Sequence, residues 1–109
     1  MTILLRADID ALPILEKSGA SYASIVPGVM HACGHDCHMA MLLGAAKILK
    51  AREQELKGNV KLLFQGAEET AIGAKRYLEL GVLEDVDAVY GCHVNVNYPA
   101  GQIKLLPKK

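Results

Sequence analysis

Three short aliphatic runs, Thr2 to Ala7, Val60 to Phe64 and Ala88 to His93, constrain the fold more than any other feature of the chain. Each has the length of a strand, and near-continuous aliphatic runs suit strands that are covered on both faces. Between the first and second, over about residues 37 to 52, Met39, Leu42, Leu43 and Ala46 recur at the i, i+3, i+4, i+7 spacing of a helix. Asp36 is placed to cap that helix, and Lys47, Lys50 and Arg52 gather near its far end, where cations suit the helix dipole. Between the second and third runs, Ala71 to Leu80 predicts another helix, closed by Gly81 in a left-handed conformation. Strand, helix, strand, helix, strand is the rhythm of an α/β fold: a mainly parallel sheet with flanking helices. Gly101 to Leu106 is a candidate fourth strand.

With 109 residues there is room for one domain, enough to bury a single core but short for a complete enzyme. The chain is 51% hydrophobic and 22% charged, which marks a folded domain rather than a disordered tail. Twelve basic against twelve acidic side chains leave no electrostatic footprint for a nucleic-acid partner. The longest apolar run, Met39 to Ala46, is far below a membrane span, so no membrane association is expected. Without Trp and with a single Phe, the core has to be aliphatic. The N-terminal residues lack the three regions of a signal peptide, which leads to an expected cytoplasmic location. Cys33, Cys37 and Cys92 are an odd number of thiols, two of them four positions apart, and form no secreted disulfide framework.

Each run ends on groups that bind metal or move protons: Asp8 and Asp10 after the first, Glu68 and Glu69 after the second, His93 on the third. Open α/β sheets place their sites at the carboxyl ends of the strands, so these groups should converge. Met30 to His38 adds three of the four histidines and two of the three cysteines. Thiolate, imidazole and carboxylate together form a ligand set for zinc or a similar divalent ion. A structural zinc finger usually draws its ligands from two separated knuckles, and here no second Cys or His pair exists. A redox dithiol is weaker still, because Cys33 and Cys37 are separated by three residues rather than two. Glu68 and Glu69 read either as a solvated acidic pair at a helix start or as partners that divide the work, one holding metal and the other accepting a proton. Asp8 and Asp10 are loop caps on one reading and, on the other, groups that orient a ligating imidazole.

Arg6 to Pro13, Met30 to Asp36, Gln65 to Glu69 and Gly91 to Val94 resemble, in order and spacing, the successive motifs of a metallo-amidohydrolase family. That family includes hippurate hydrolases, N-acyl-amino-acid amidohydrolases, indoleacetyl-amino-acid hydrolases and N-acetyldiaminopimelate deacetylases. The resemblance implies a co-catalytic metallopeptidase-like α/β catalytic domain carrying two divalent ions (zinc, manganese, cobalt or nickel), with a smaller inserted domain that covers the site and dimerises. By position it implies Cys33 as a bridging ligand, His35 and His93 as imidazole ligands, Glu69 as a carboxylate ligand and Glu68 as the general base. Asp10 matches an Asp that orients a ligand, and Asp8 stands where related metallopeptidases carry a metal-binding His. Gly66 replaces the usual Pro, which should loosen the approach to Glu68.

The expected activity is hydrolysis of the amide bond of N-acyl amino acids or small peptides, in a homo-oligomer. Residues 1–109 are expected to be a partial catalytic domain, inactive alone, lacking the preceding helical segment, the lid and dimerisation domain, and a downstream His ligand. The rival reading is a stand-alone metal-binding or interaction module that has kept the site without the reaction.

Overall fold

A computed structural model describes residues 1–105. Its elements are β1 (Thr2–Asp8), α1 (His35–Ala51), a one-turn 3-10 helix (Glu53–Glu55), β2 (Asn59–Gln65), α2 (Gly73–Glu79) and β3 (Ala88–Gly91). The three strands form one parallel sheet in the order β2-β1-β3, with α1 and α2 as the crossovers. β1 is therefore the only strand paired on both edges among the described residues. Leu4 and Ala7 on it are buried, and Leu42 of α1 completes the small apolar core. Full burial of a leucine contributes about 1.5–3 kcal/mol, so Leu4, 1% exposed, is a main anchor of the sheet.

Register decides what meets at the carboxyl ends. Asp8, the last residue of β1, pairs with Gln65, the last of β2, while Arg6 pairs with Gly91 at the end of β3. His93 follows two residues after Gly91, just beyond the end of β3. Glu68 and Glu69 follow closely after β2, so all three strands deliver their chemistry to one edge.

The structure departs from the sequence expectations in several places. α1 starts at His35 rather than at residue 37, and its cap is Gly34, which bonds through no side chain and has a φ of 85°. Asp36 lies instead within the first turn, its Oδ1 accepting the Cys37 N–H at 2.9 Å. The buried stripe of α1 is His35, His38 and Leu42, while Leu43 is exposed. Two histidines occupy the apolar face because the first turns of α1 look onto the polar end of the sheet rather than onto its core. α2 is shorter than expected, since Ala71 has a φ of 58° and cannot be helical. Gly81, with φ 74°, does adopt the left-handed conformation. β3 stops at Gly91, leaving Cys92 and His93 in the following segment. No strand forms over residues 101–105, and Leu106, the end of the candidate fourth strand, lies outside the described residues.

Candidate metal centre

Gly34 lets the segment after β3 approach the start of α1. A Cβ at this position would stand 2.6 Å from Val94 Cγ2, and its positive φ is one that L side chains rarely adopt. The absent side chain allows Val94 to sit on the turn that carries Cys33 and His35. His93 is thereby brought to Cys33, with Nε2 and Sγ 3.5 Å apart.

His35 is the centre of the arrangement. Its side chain is fully buried, and neither ring nitrogen has a hydrogen-bond partner. Nε2 faces three carboxylates: Asp8 Oδ2 at 3.8 Å, Glu69 Oε1 at 3.8 Å and Glu68 Oε2 at 3.9 Å. These gaps are too long for hydrogen bonds. Donors that each lie about 2.0–2.2 Å from a shared ion stand up to about 4 Å apart, so the spacing is that of ligands around a cation. A buried polar ring without partners is costly, and a divalent ion removes that cost. Three sets of donor atoms cluster closely enough to share an ion: Cys33, His35 and His93; His35, Glu68 and Glu69; and Asp8, His35 and His38. His35 belongs to all three. The residues present thus fit a divalent metal.

The thiol supports the same fit. Burial, a hydrogen bond to Glu69 and the charges of Glu69, Glu68 and Asp8 push the Cys33 thiol above its ordinary pKa. A cation among those carboxylates reverses the sign of the local field and favours the thiolate. Cys33, Cys37 and Cys92 are all free.

The acidic residues are held by a strained loop. Ala67 and Ala71, both with φ 58°, bracket Glu68 to Thr70, and left-handed geometry at a residue with a Cβ costs about 1–2 kcal/mol. Backbone bonds hold the loop, Gly73 N–H donating to Ala67 O at 2.9 Å and Ala71 N–H to Glu68 O at 2.8 Å. Gly73 is obligatory there, because a Cβ would collide with the carbonyl oxygens of Gly66 and Ala67. Gly66 donates its N–H to Tyr77 Oη at 3.4 Å, a bond that a proline would lack. The Glu68 side chain is 39% exposed and that of Glu69 is 28% exposed, so the two differ in access to water more than in distance from His35.

The two aspartates divide differently from the sequence expectation. Asp10 Oδ2 accepts the backbone N–H of Glu69 at 3.3 Å, and its buried Oδ1 has no hydrogen-bond partner. Among the described residues its carboxylate bonds to no imidazole; the contact of His31 Nδ1 is with the Asp10 carbonyl oxygen, at 3.0 Å. The aspartate that does hold an imidazole is Asp8, with Oδ1 2.5 Å from His38 Nδ1 and Oδ2 3.0 Å from Arg6 Nη1. Burial raises the Asp8 pKa, but the His38 hydrogen bond and the charges of Arg6, His35 and His38 outweigh it and leave the carboxyl below its ordinary value. Sequence reasoning gave His38 no role. The available signal was its position three residues after His35, on the same face of the helix.

Imidazole, thiol and carboxylate donors gathered beyond the carboxyl ends of a parallel sheet define an open α/β metal-binding domain. The chain belongs to peptidase family M20/M25/M40, whose sequence profile matches residues 4–108. It is 54% identical over 101 residues to the IAA-amino acid hydrolase ILR1-like 5 of Arabidopsis thaliana, covering 93% of this chain and 23% of the relative. Over 101 residues it is 52% identical to the N-acetylcysteine deacetylase of Bacillus subtilis, covering 93% of this chain and 27% of that protein. The YXEP protein of Bacillus subtilis, described as a dinuclear metal-binding peptidase of the M20 family, superposes with a TM-score of 0.88 at 52% identity, over 90% of this chain and 27% of that one. The chain spans about a quarter of the length of the curated relatives it matches. Among the described residues, no helix is long and apolar enough to cross a membrane.

Proposed function

We propose that these residues are the metal-binding part of a longer catalytic unit that hydrolyses the amide bond of N-acyl amino acids. The observation that carries the reading is His35, buried with both nitrogens unpartnered and its Nε2 set among three carboxylates. The names of two relatives support the substrate class, since N-acetylcysteine is an acylated amino acid and the other relative acts on IAA-amino acid compounds. A thermostable carboxypeptidase of Saccharolobus solfataricus, 50% identical over 102 residues, extends it towards peptides.

In this reading Cys33, His35, Glu69 and His93 would hold two divalent ions. When bound, such ions would supply Lewis acidity, which polarises an amide carbonyl and makes a water more acidic. Glu68, the more exposed of the two glutamates, accepts a proton from the attacking water and delivers it to the leaving amine as the C–N bond breaks. Asp10 holds the main chain of Glu69 so that its carboxylate stays directed at His35.

Metal per chain, measured after dialysis against a weak chelator, tests the ligand set. Cys33→Ser and His93→Ala should each lower occupancy in residues 1–109 and, in the longer catalytic unit, the release of benzoate from benzoylglycine. Occupancy equal to the parent in both variants would overturn the assignment.

A further inference from the structure

His38 is buried, is nobody's expected ligand, and yet uses both of its ring nitrogens. Nδ1 faces Asp8 Oδ1 at 2.5 Å, and Nε2 lies 3.0 Å from the backbone nitrogen of Val94. An amide nitrogen can only donate, so Nε2 must be the bare acceptor and the ring proton must sit on Nδ1, donated to Asp8. Asp8 is itself fixed from the other side by Arg6, whose Nε donates to Gln65 Oε1 at 3.0 Å. The chain of contacts continues beyond His38. The Val94 amide donates to His38, while the Val94 carbonyl oxygen stands 2.6 Å from Nδ1 of His93. That carbonyl can only accept, so His93 also carries its proton on Nδ1 and turns a bare Nε2 towards Cys33 Sγ. The rings of His38 and His93 meet edge to face with centroids 4.5 Å apart.

We infer that His38 is a positioning residue which, through the backbone of Val94, fixes the ring of His93 in the tautomer that offers Nε2 to the metal centre. The inference rests on the reading of His93 as a ligand. It gives a reason why a histidine fills a buried place on α1 where the helix pattern calls for an apolar side chain. It also excludes His38 as a ligand in this arrangement, because neither nitrogen is free. Its physical content is orientation: an imidazole whose far nitrogen is held by an acceptor loses neither rotamer nor tautomer freedom when metal arrives, and such supporting contacts are typically worth about 10–100-fold in metal affinity.

Nitrogen-15 NMR of the histidine rings in the metal-free full chain tests this directly. The parent should show a coupling across the Val94 N–H to His38 Nε2 hydrogen bond, and a single His93 tautomer with Nδ1 protonated. Two substitutions separate the two ends of His38. His38→Gln can place an acceptor near the Nε2 position and keep the Val94 bond, whereas His38→Asn can reach only Asp8. The expected result is a retained His93 tautomer and zinc affinity within a few-fold of the parent in the Gln variant. In the Asn variant mixed tautomers and a loss of about 10-fold or more are expected. The inference is overturned if the parent lacks the coupling, a measurement that needs no variant to fold. It is equally overturned if the Asn variant keeps both the tautomer and the affinity, or if zinc displaces the His38 signals in place of those of His93. Zinc that leaves the His93 signals unmoved, with coupling and tautomer as expected, would sink the ligand reading while supporting the positioning role.

Discussion

At the scale of single residues, the two adjacent glutamates make the sharpest case, because distance does not separate them: both lie just under 4 Å from His35 Nε2. Chemistry separates them. In the longer catalytic unit, Glu68→Gln keeps shape and hydrogen bonding but removes a proton acceptor, so metal should remain bound while kcat falls by at least about 100-fold, within the usual range of about 10²–10⁴ for acid and base groups. Glu69→Gln removes a charged donor, and there metal per chain should fall, with activity partly restored by excess ion. Metal analysis and steady-state kinetics on the same preparations give both readouts. Metal lost in the Glu68 variant and kept in the Glu69 variant would exchange the two roles. The orientation of this pair depends on Ala67 and Ala71, whose left-handed backbones no alanine side chain advertises.

At the scale of elements, the turn at Gly34 links α1 to the segment after β3, and a matched pair of variants isolates what that link does. Gly34→Ala incurs the left-handed backbone cost and pushes on Val94, whereas Gly19→Ala, with φ 68° and open space around it, incurs only the backbone cost. Each should lower stability in denaturant titration by about 1 kcal/mol or more. Only Gly34→Ala should also weaken metal binding, through the displaced Val94 and His93. Equal zinc affinity in the two variants would show that the link is not needed. How much of this was legible in the sequence follows from what each element answers to. The three strands and two helices were readable from their aliphatic periodicity, and the parallel sheet followed from their alternation. The start of α1 was not, because a glycine cap carries no side-chain signature and the Asp36 that resembles a cap serves the first turn from inside. That Asp8, Glu68, Glu69 and His93 would meet could be expected from their places after strands, whereas the ligand roles of Cys33, His35, Glu69 and His93 came from the family resemblance. The Asp8 to His38 bond could not, since it depends on which helix face turns to the sheet end, and the apolar spacing pointed to a face shared with Leu43.

At the scale of the whole molecule, three buried apolar side chains, Leu4, Ala7 and Leu42, make a small core among the described residues. Much of what is buried is polar: Asp8, His35, His38 and Gln65. Stability should therefore depend on metal to an unusual degree. An ion that binds only the folded state adds about 2.7 kcal/mol at a hundred times its Kd, so zinc should raise the Tm by several degrees and a chelator should reverse it. Differential scanning calorimetry of the chain in both conditions checks this, and an unchanged Tm would mean that the site forms no folded-state complex. The strand order carries a consequence of another kind, for the chain as it leaves the ribosome. β1 emerges before either of its neighbours, yet it is the strand that both of them need. One edge can be paired when β2 appears, but the other stays open until Ala88 to Gly91 has been made. Throughout that interval the nascent polypeptide exposes a row of unpaired amides beside Leu4 and Ala7, the kind of edge that recruits another strand. His93, the last in sequence of the donors assigned within these residues, arrives just after the strand that closes this edge, so translation ends the period of greatest exposure and brings Cys33, His35, Glu69 and His93 within reach of one another in nearly the same moment.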